Sequence, residues 1–104
     1  MIIGTDENFQ SEVINSDKLT LVDFWADWCM PCKLIESSIE ELAEEYKDTL
    51  KVVKFNVDEN PNIPAQLGIT GIPTVIFYKN GEMVERLVGA MTKPQYEEII
   101  KQYS

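Results

Sequence analysis

Apolar and polar positions follow two different periods along this chain. From Leu19 to Trp25 the period is two. Leu19, Leu21, Asp23 and Trp25 fall on one face, and Val22, Phe24 and Ala26 on the other. Both faces are apolar, as expected of a central strand covered on both sides. From Ile35 the period lengthens to that of a helix. Ile35, Ile39, Leu42, Ala43 and Tyr46 form one stripe, while Lys33, Glu36, Glu40, Glu41, Glu44 and Glu45 form a solvated opposite face. This helix is expected to begin near Cys29 or Met30. Pro31 then sits in the first turn, where a missing N–H costs nothing.

The remaining segments read in the same way. Ile2-Ile3 is a short edge strand. Thr5 or Asp6 can cap a helix with apolar positions Phe9, Val13 and Ile14. Val52 to Val57 predicts a strand, with Val53, Phe55 and Val57 on one face and Val52, Lys54 and Asn56 on the other. Asp58 to Gly68 predicts a short helix that carries Pro61 and Pro64 early and is closed by Gly68. Thr74 to Tyr78 is a strand, Asn80-Gly81 a two-residue hairpin signal, and Glu82 to Val88 the returning edge strand. A last helix starts at Thr92 and runs through Tyr96, Ile99, Ile100 and Tyr103. Alternating strands and helices imply an α/β fold with a mainly parallel sheet, to which the hairpin adds antiparallel strands on one side.

Composition narrows the function. With 104 residues, 44% of them hydrophobic, the chain is expected to form one domain over 1–104 with a sufficient core. A net charge of −9 would repel nucleic acid and anionic membranes. There is no histidine, which excludes a Ser-His-Asp triad, a Cys-His pair and every histidine metal ligand. No apolar run is long enough to span a bilayer, and the start Met1-Ile2-Ile3-Gly4-Thr5-Asp6-Glu7 has no signal-peptide character, so a cytoplasmic location is expected.

The chemistry centres on two cysteines, Cys29 and Cys32. In Trp28-Cys29-Met30-Pro31-Cys32-Lys33 they follow the central strand and open the long helix. Residues three apart on a helix share a face, within reach of a disulfide. A cysteine at a helix start meets unpaired N–H groups that stabilise a thiolate, the attacking species in disulfide exchange. Cys32, one turn in, is expected to be the more buried. Asp23 stands among apolar neighbours, so its carboxyl pKa should be raised, which suits acid–base work. Trp25 reads as core, and Trp28 as packing over the site. Lys54 reads equally as a partner of Asp23 or as a solvated lysine.

Val22-Asp23-Phe24-Trp25-Ala26, Trp28-Cys29-x-Pro31-Cys32-Lys33, Gly71-Ile72-Pro73-Thr74 and Val88-Gly89-Ala90 stand in the order of the signature segments of the thioredoxin family. The chain resembles that family over nearly its whole length. The resemblance implies a five-stranded mixed sheet in the order 1-3-2-4-5 flanked by four helices. It implies a protein-disulfide reductase in which Cys29 is the nucleophile and Cys32 resolves the mixed disulfide. Asp23 would assist proton transfer at Cys32, and Lys54 would lie near Asp23. Pro73 would be a cis-proline against the disulfide, and the Ile72 backbone would pair with an extended substrate. Trp28, Met30, Pro31, Gly71, Ile72, Gly89 and Ala90 would form the docking surface. No cofactor or metal is implied for a protein that acts as a monomer. A separate flavin-dependent reductase drawing on NADPH would restore the dithiol, and disulfide-containing proteins would be the clients.

Two positions depart from the family pattern. Met30 stands where glycine is usual, and it adds an adaptable apolar side chain between the cysteines. Ser37 stands where a proline often bends the second helix, so a straighter helix is expected. The alternatives are an exchanger of higher potential, a non-redox docking subunit, an inert structural disulfide, and a dimer pooling two CxxC pairs around a metal.

Overall fold

The computed structural model describes residues 1–104. Its strands are β1 (Ile2–Gly4), β2 (Leu19–Trp25), β3 (Leu50–Asn56), β4 (Thr74–Lys79) and β5 (Glu82–Val88). They form one sheet in the order β1-β3-β2-β4-β5. β1 and β2 pair with β3 in parallel, while β4 runs antiparallel to both β2 and β5. The sheet is therefore half parallel and half antiparallel, where strand–helix alternation alone suggested a mainly parallel one.

The lengths of the helices explain the difference. α1 (Met30–Leu34) and α2 (Glu36–Glu45) join β2 to β3. From Met30 to Glu45 this run covers about 24 Å, enough to return the chain along a seven-residue strand of about 23 Å and begin a parallel neighbour. α3 (Asn62–Gln66) joins β3 to β4 and covers only about 7 Å. β4 consequently starts at the end of the sheet where β3 stops, and runs back. Asn80 and Gly81, with φ of 51° and 81°, then make the tight turn into β5.

The long helix is broken at Ile35 (φ −94°, ψ −3°), so the expected straighter helix is not found even without a proline at position 37. The weak helix formers Ser37 and Ser38 follow close behind the break. The N-terminal helix is also shorter than its apolar spacing suggests. It is a π-type segment, Gln10–Ile14, closed by a bond from the Asn15 N–H to the Gln10 carbonyl at 2.9 Å. Thr5 does bond reciprocally with Asn8, its Oγ1 accepting from the Asn8 N–H at 3.0 Å. Asp6 caps a different helix. Its carboxylate accepts from the N–H groups of Asn62 and Ile63 at 3.1 and 2.8 Å, at the start of α3. α3 occupies only the middle of the predicted 58–68 span, because Asn56 Oδ1 ties the Asp58 and Glu59 N–H groups into a turn ahead of it.

The sheet is covered on both sides. On one face α2 and α4 (Lys93–Tyr103) bury Ile39, Leu42, Tyr96 and Ile100 against Leu19, Leu21, Val52, Val75 and Phe77. On the other, Phe9 and Val13 lie against Val22, Phe24, Val53, Phe55 and Ile76. α4 begins with a capping box between Thr92 and Gln95. Lys93 bonds to Glu41 at 2.8 Å and Glu45 at 2.5 Å, tying α4 to α2. No helix is long and apolar enough to cross a membrane.

Candidate active site

The site lies where β2 ends and α1 begins. β2 leaves the sheet at Trp25, and Ala26 to Trp28 turn the chain toward α1. The Cys29 N–H bonds to the Ala26 carbonyl at 3.2 Å, which closes this turn. Cys29 caps α1 in an extended conformation (φ −89°, ψ 104°), and its Sγ accepts the Cys32 N–H at 3.2 Å. That donor is one the helix cannot satisfy internally, so it is free to stabilise negative charge on sulfur. Pro31 in the first turn leaves the arrangement intact.

Cys29 and Cys32 form a disulfide with Cα atoms 5.3 Å apart. The two cysteines are 3% and 4% exposed, so Cys32 is not the more buried of the pair. Both pack with Ala26 in a small cluster bordered by Trp25, Val57 and Ile72. Trp25 is thus only partly buried at the site's edge, where the alternation pattern placed it in the core.

Ile72 reaches this cluster from the loop before β4. The Ile72–Pro73 peptide is cis. Thr74 Oγ1 donates to the Gly71 carbonyl at 2.6 Å, and the Gly89 N–H donates to the Pro73 carbonyl at 2.8 Å. A side chain at Gly71 would meet Val88 at 3.6 Å, so the 71–73 loop and the 88–89 segment lie side by side. Gly89 has φ of 94°, a backbone that glycine adopts freely. The structure thereby gathers Cys29, Cys32, Gly71, Ile72, Pro73 and Gly89 at one end of the sheet. Pro31, Met30 and Ala90 are exposed near these segments in the chain.

Asp23 is buried on β2, on the face that α2 and α4 cover. Burial pushes its carboxyl up from 3.8 to about 6; the positive charge of Lys54 opposes the shift, and the negative charge of Glu36 reinforces it. Its Oδ1 has no hydrogen-bond partner. Lys54 stands opposite Asp23 in the β2–β3 register and is half-buried, with its Nζ 4.5 Å from the centre of the Trp25 ring. No ion pair joins Lys54 to Asp23; its charge acts on the carboxyl through space.

Trp28 is exposed rather than folded down as cover, and its indole N–H donates to Asp58 Oδ2 at 2.9 Å. Neither Asp58 nor Glu36 is legible as a site residue from spacing. The only available signal is that Asp58 comes two residues after the end of β3, the strand beside β2. No group of three or more potential metal ligands is present.

A disulfide held across the first turn of a helix, at the end of a central strand, beside a buried carboxyl of raised pKa, is a thiol–disulfide oxidoreductase site. The family model described as Thioredoxin matches residues 1–102. A thioredoxin of Acidithiobacillus ferridurans is 52% identical over 88% of this chain and 84% of its own. Thioredoxin 2 of Chlorobaculum tepidum is 53% identical over 86% of this chain and 83% of its own, and a thioredoxin of Griffithsia pacifica 54% over 85% and 81%. The chain belongs to the thioredoxin family. It is an oxidoreductase whose redox centre is the Cys29–Cys32 dithiol–disulfide pair.

Proposed function

We propose that the protein reduces disulfides in client proteins, with Cys29 as nucleophile and Cys32 as resolving cysteine. The observation that carries this reading is the Cys32 N–H on Cys29 Sγ, a donor placed to stabilise the Cys29 thiolate once the disulfide is open. The Cys29 thiolate attacks one client sulfur. The client disulfide breaks, a Cys29–client disulfide forms, and the departing client thiolate takes a proton. Asp23, ionised above about pH 6, accepts the Cys32 proton. The Cys32 thiolate then attacks Cys29 Sγ and releases the second client thiolate. Two electrons have passed to the client, and Cys29–Cys32 is again a disulfide.

Lys54 tunes Asp23 by opposing the rise of its pKa. Trp28, Met30, Pro31, Gly71, Ile72, Gly89 and Ala90 form the client-docking face, with an extended client segment along the Ile72–Pro73 backbone. A separate reductase, flavin-dependent and NADPH-linked, returns the dithiol. The protein works in the cytoplasm as a monomer and needs no bound cofactor.

Insulin reduction in the presence of dithiothreitol tests the chemistry. Cys29→Ser is expected to abolish it. Cys32→Ser is expected to accumulate a Cys29–client mixed disulfide, visible on non-reducing gels. Retention of full activity by Cys29→Ser would leave the docking-subunit reading. The direction of electron flow is tested by equilibration against a thiol redox buffer. A potential near the family's reference value of roughly −270 mV supports a reductant, and one near roughly −180 mV would transfer the protein to the exchangers of higher potential.

A further inference from the structure

We propose that Met30 is a reversible oxidation site whose sulfoxide weakens client docking. This rests on the reductase reading above and adds a control to the same site. The argument starts from how the sulfur-bearing residues differ in access. In the disulfide state no thiolate is available to an oxidant, and both cysteines are almost fully covered. Met30, between them, is 66% exposed. Met1 is 55% and Met83 42% exposed, and Met91 is half-buried against the core. Met30 is therefore the most open sulfur-bearing residue in the oxidised protein, and it is the one that stands at the redox centre.

The chemistry needs one oxygen-atom donor such as hydrogen peroxide. The thioether sulfur attacks one peroxide oxygen, the O–O bond breaks, and methionine sulfoxide and water result. Sulfur is oxidised by two electrons and peroxide is reduced by two. A methionine sulfoxide reductase reverses the change. The product is polar and chiral where the thioether was apolar and adaptable. Met30 is the first residue of α1, and Leu34, one turn on, is also exposed. Oxidation would thus put a polar group into an apolar strip beside Cys29 while leaving the core and both cysteines untouched. The other methionines lie elsewhere: Met1 precedes β1, and Met83 pairs with Tyr78 in the β4–β5 hairpin.

The test treats the full-length disulfide form with hydrogen peroxide, removes the peroxide, and follows both peptide mass and insulin reduction. The Met30 peptide is expected to gain one oxygen several-fold faster than the Met83 and Met91 peptides. Insulin kcat/KM is expected to fall about three- to tenfold in step with Met30 oxidation, mainly through KM, and to recover after treatment with methionine sulfoxide reductases. Met30→Leu, compared with its own untreated activity, is expected to resist peroxide, whereas Met83→Leu is expected to lose activity as the parent does. Oxidation of Met30 no faster than that of Met91 would overturn the proposal, as would complete oxidation with unchanged kcat/KM. Untreated protein inert toward insulin would sink the reductase reading and with it the docking effect, while the peptide map would still decide whether Met30 is the oxidation site.

Discussion

Asp23 shows how burying one ionisable side chain costs stability. Its carboxyl is buried, its pKa stands near 6 instead of 3.8, and one oxygen has no partner. The folded protein therefore holds this proton more tightly than the unfolded chain does. The sign follows: as pH rises from about 4 through 6 the folded state loses stability, with the full penalty above about 6 and none below about 4. A shift of this size corresponds to about 3 kcal/mol. Asp23→Asn is accordingly expected to raise the unfolding free energy by up to about 3 kcal/mol at pH 8 and by little at pH 4, while slowing the step in which Cys32 resolves the mixed disulfide. Urea titrations at the two pH values check this, and an equal effect at both would rule out carboxylate burial as the cause. The burial itself was legible, because Leu21 and Trp25 flank Asp23 on the same strand face. The contribution of Glu36 was not, because it depends on where α2 begins in space.

At the scale of elements, the long-range cap on α3 shows why short helices survive. Five residues form too little helix to be stable alone. Asp6, 56 positions before Asn62, accepts its first free N–H groups, and Arg86 on β5 donates to the Leu67 and Gly68 carbonyls at the other end, at 2.7 and 3.0 Å. Asp6→Ala is expected to cost about 1 kcal/mol in chemical denaturation. The Asn62 and Ile63 amides should lose hydrogen-exchange protection ahead of those in β2. Unchanged protection at these amides would mean that the bond contributes nothing in solution. From spacing alone, Asp6 reads as a cap for the helix next to it, and only the fold brings it to α3. The break at Ile35 is similar. Its apolar stripe continues unbroken from Ile35 to Tyr46, so the period predicts one helix, while the Ile35 backbone (φ −94°, ψ −3°) divides it.

At the scale of the whole molecule, the net charge of −9 is the dominant long-range term. The ion pairs of Lys93 with Glu41 and Glu45 and of Lys51 with Glu12 supply local attraction but leave the net charge, and its repulsion, in place. Screening the remaining repulsion is expected to raise Tm by a few degrees, on the order of 2–4 °C, between about 10 mM and 300 mM salt. Calorimetry at fixed pH reads this directly. A falling Tm would show that the ion pairs outweigh the repulsion.

The strands, the hairpin at Asn80-Gly81 and the placement of Cys29 and Cys32 at a helix start all follow from neighbours two to four positions apart, so the linear pattern was enough to place them. The 1-3-2-4-5 order came instead from the resemblance of four motifs to a family, since local periods do not say which strands pair. Tertiary structure alone decided what surrounds the redox pair. It set Ile72 against the cysteines, Lys54 and Glu36 about Asp23, and Asp58 on the Trp28 indole 30 residues away. These effects arise from desolvation and charge across elements distant in sequence: those of Lys54, Glu36 and Asp58 exist only once α1 and α2 have brought β3 beside β2, and that of Ile72 only once the short α3 has turned β4 back along β2.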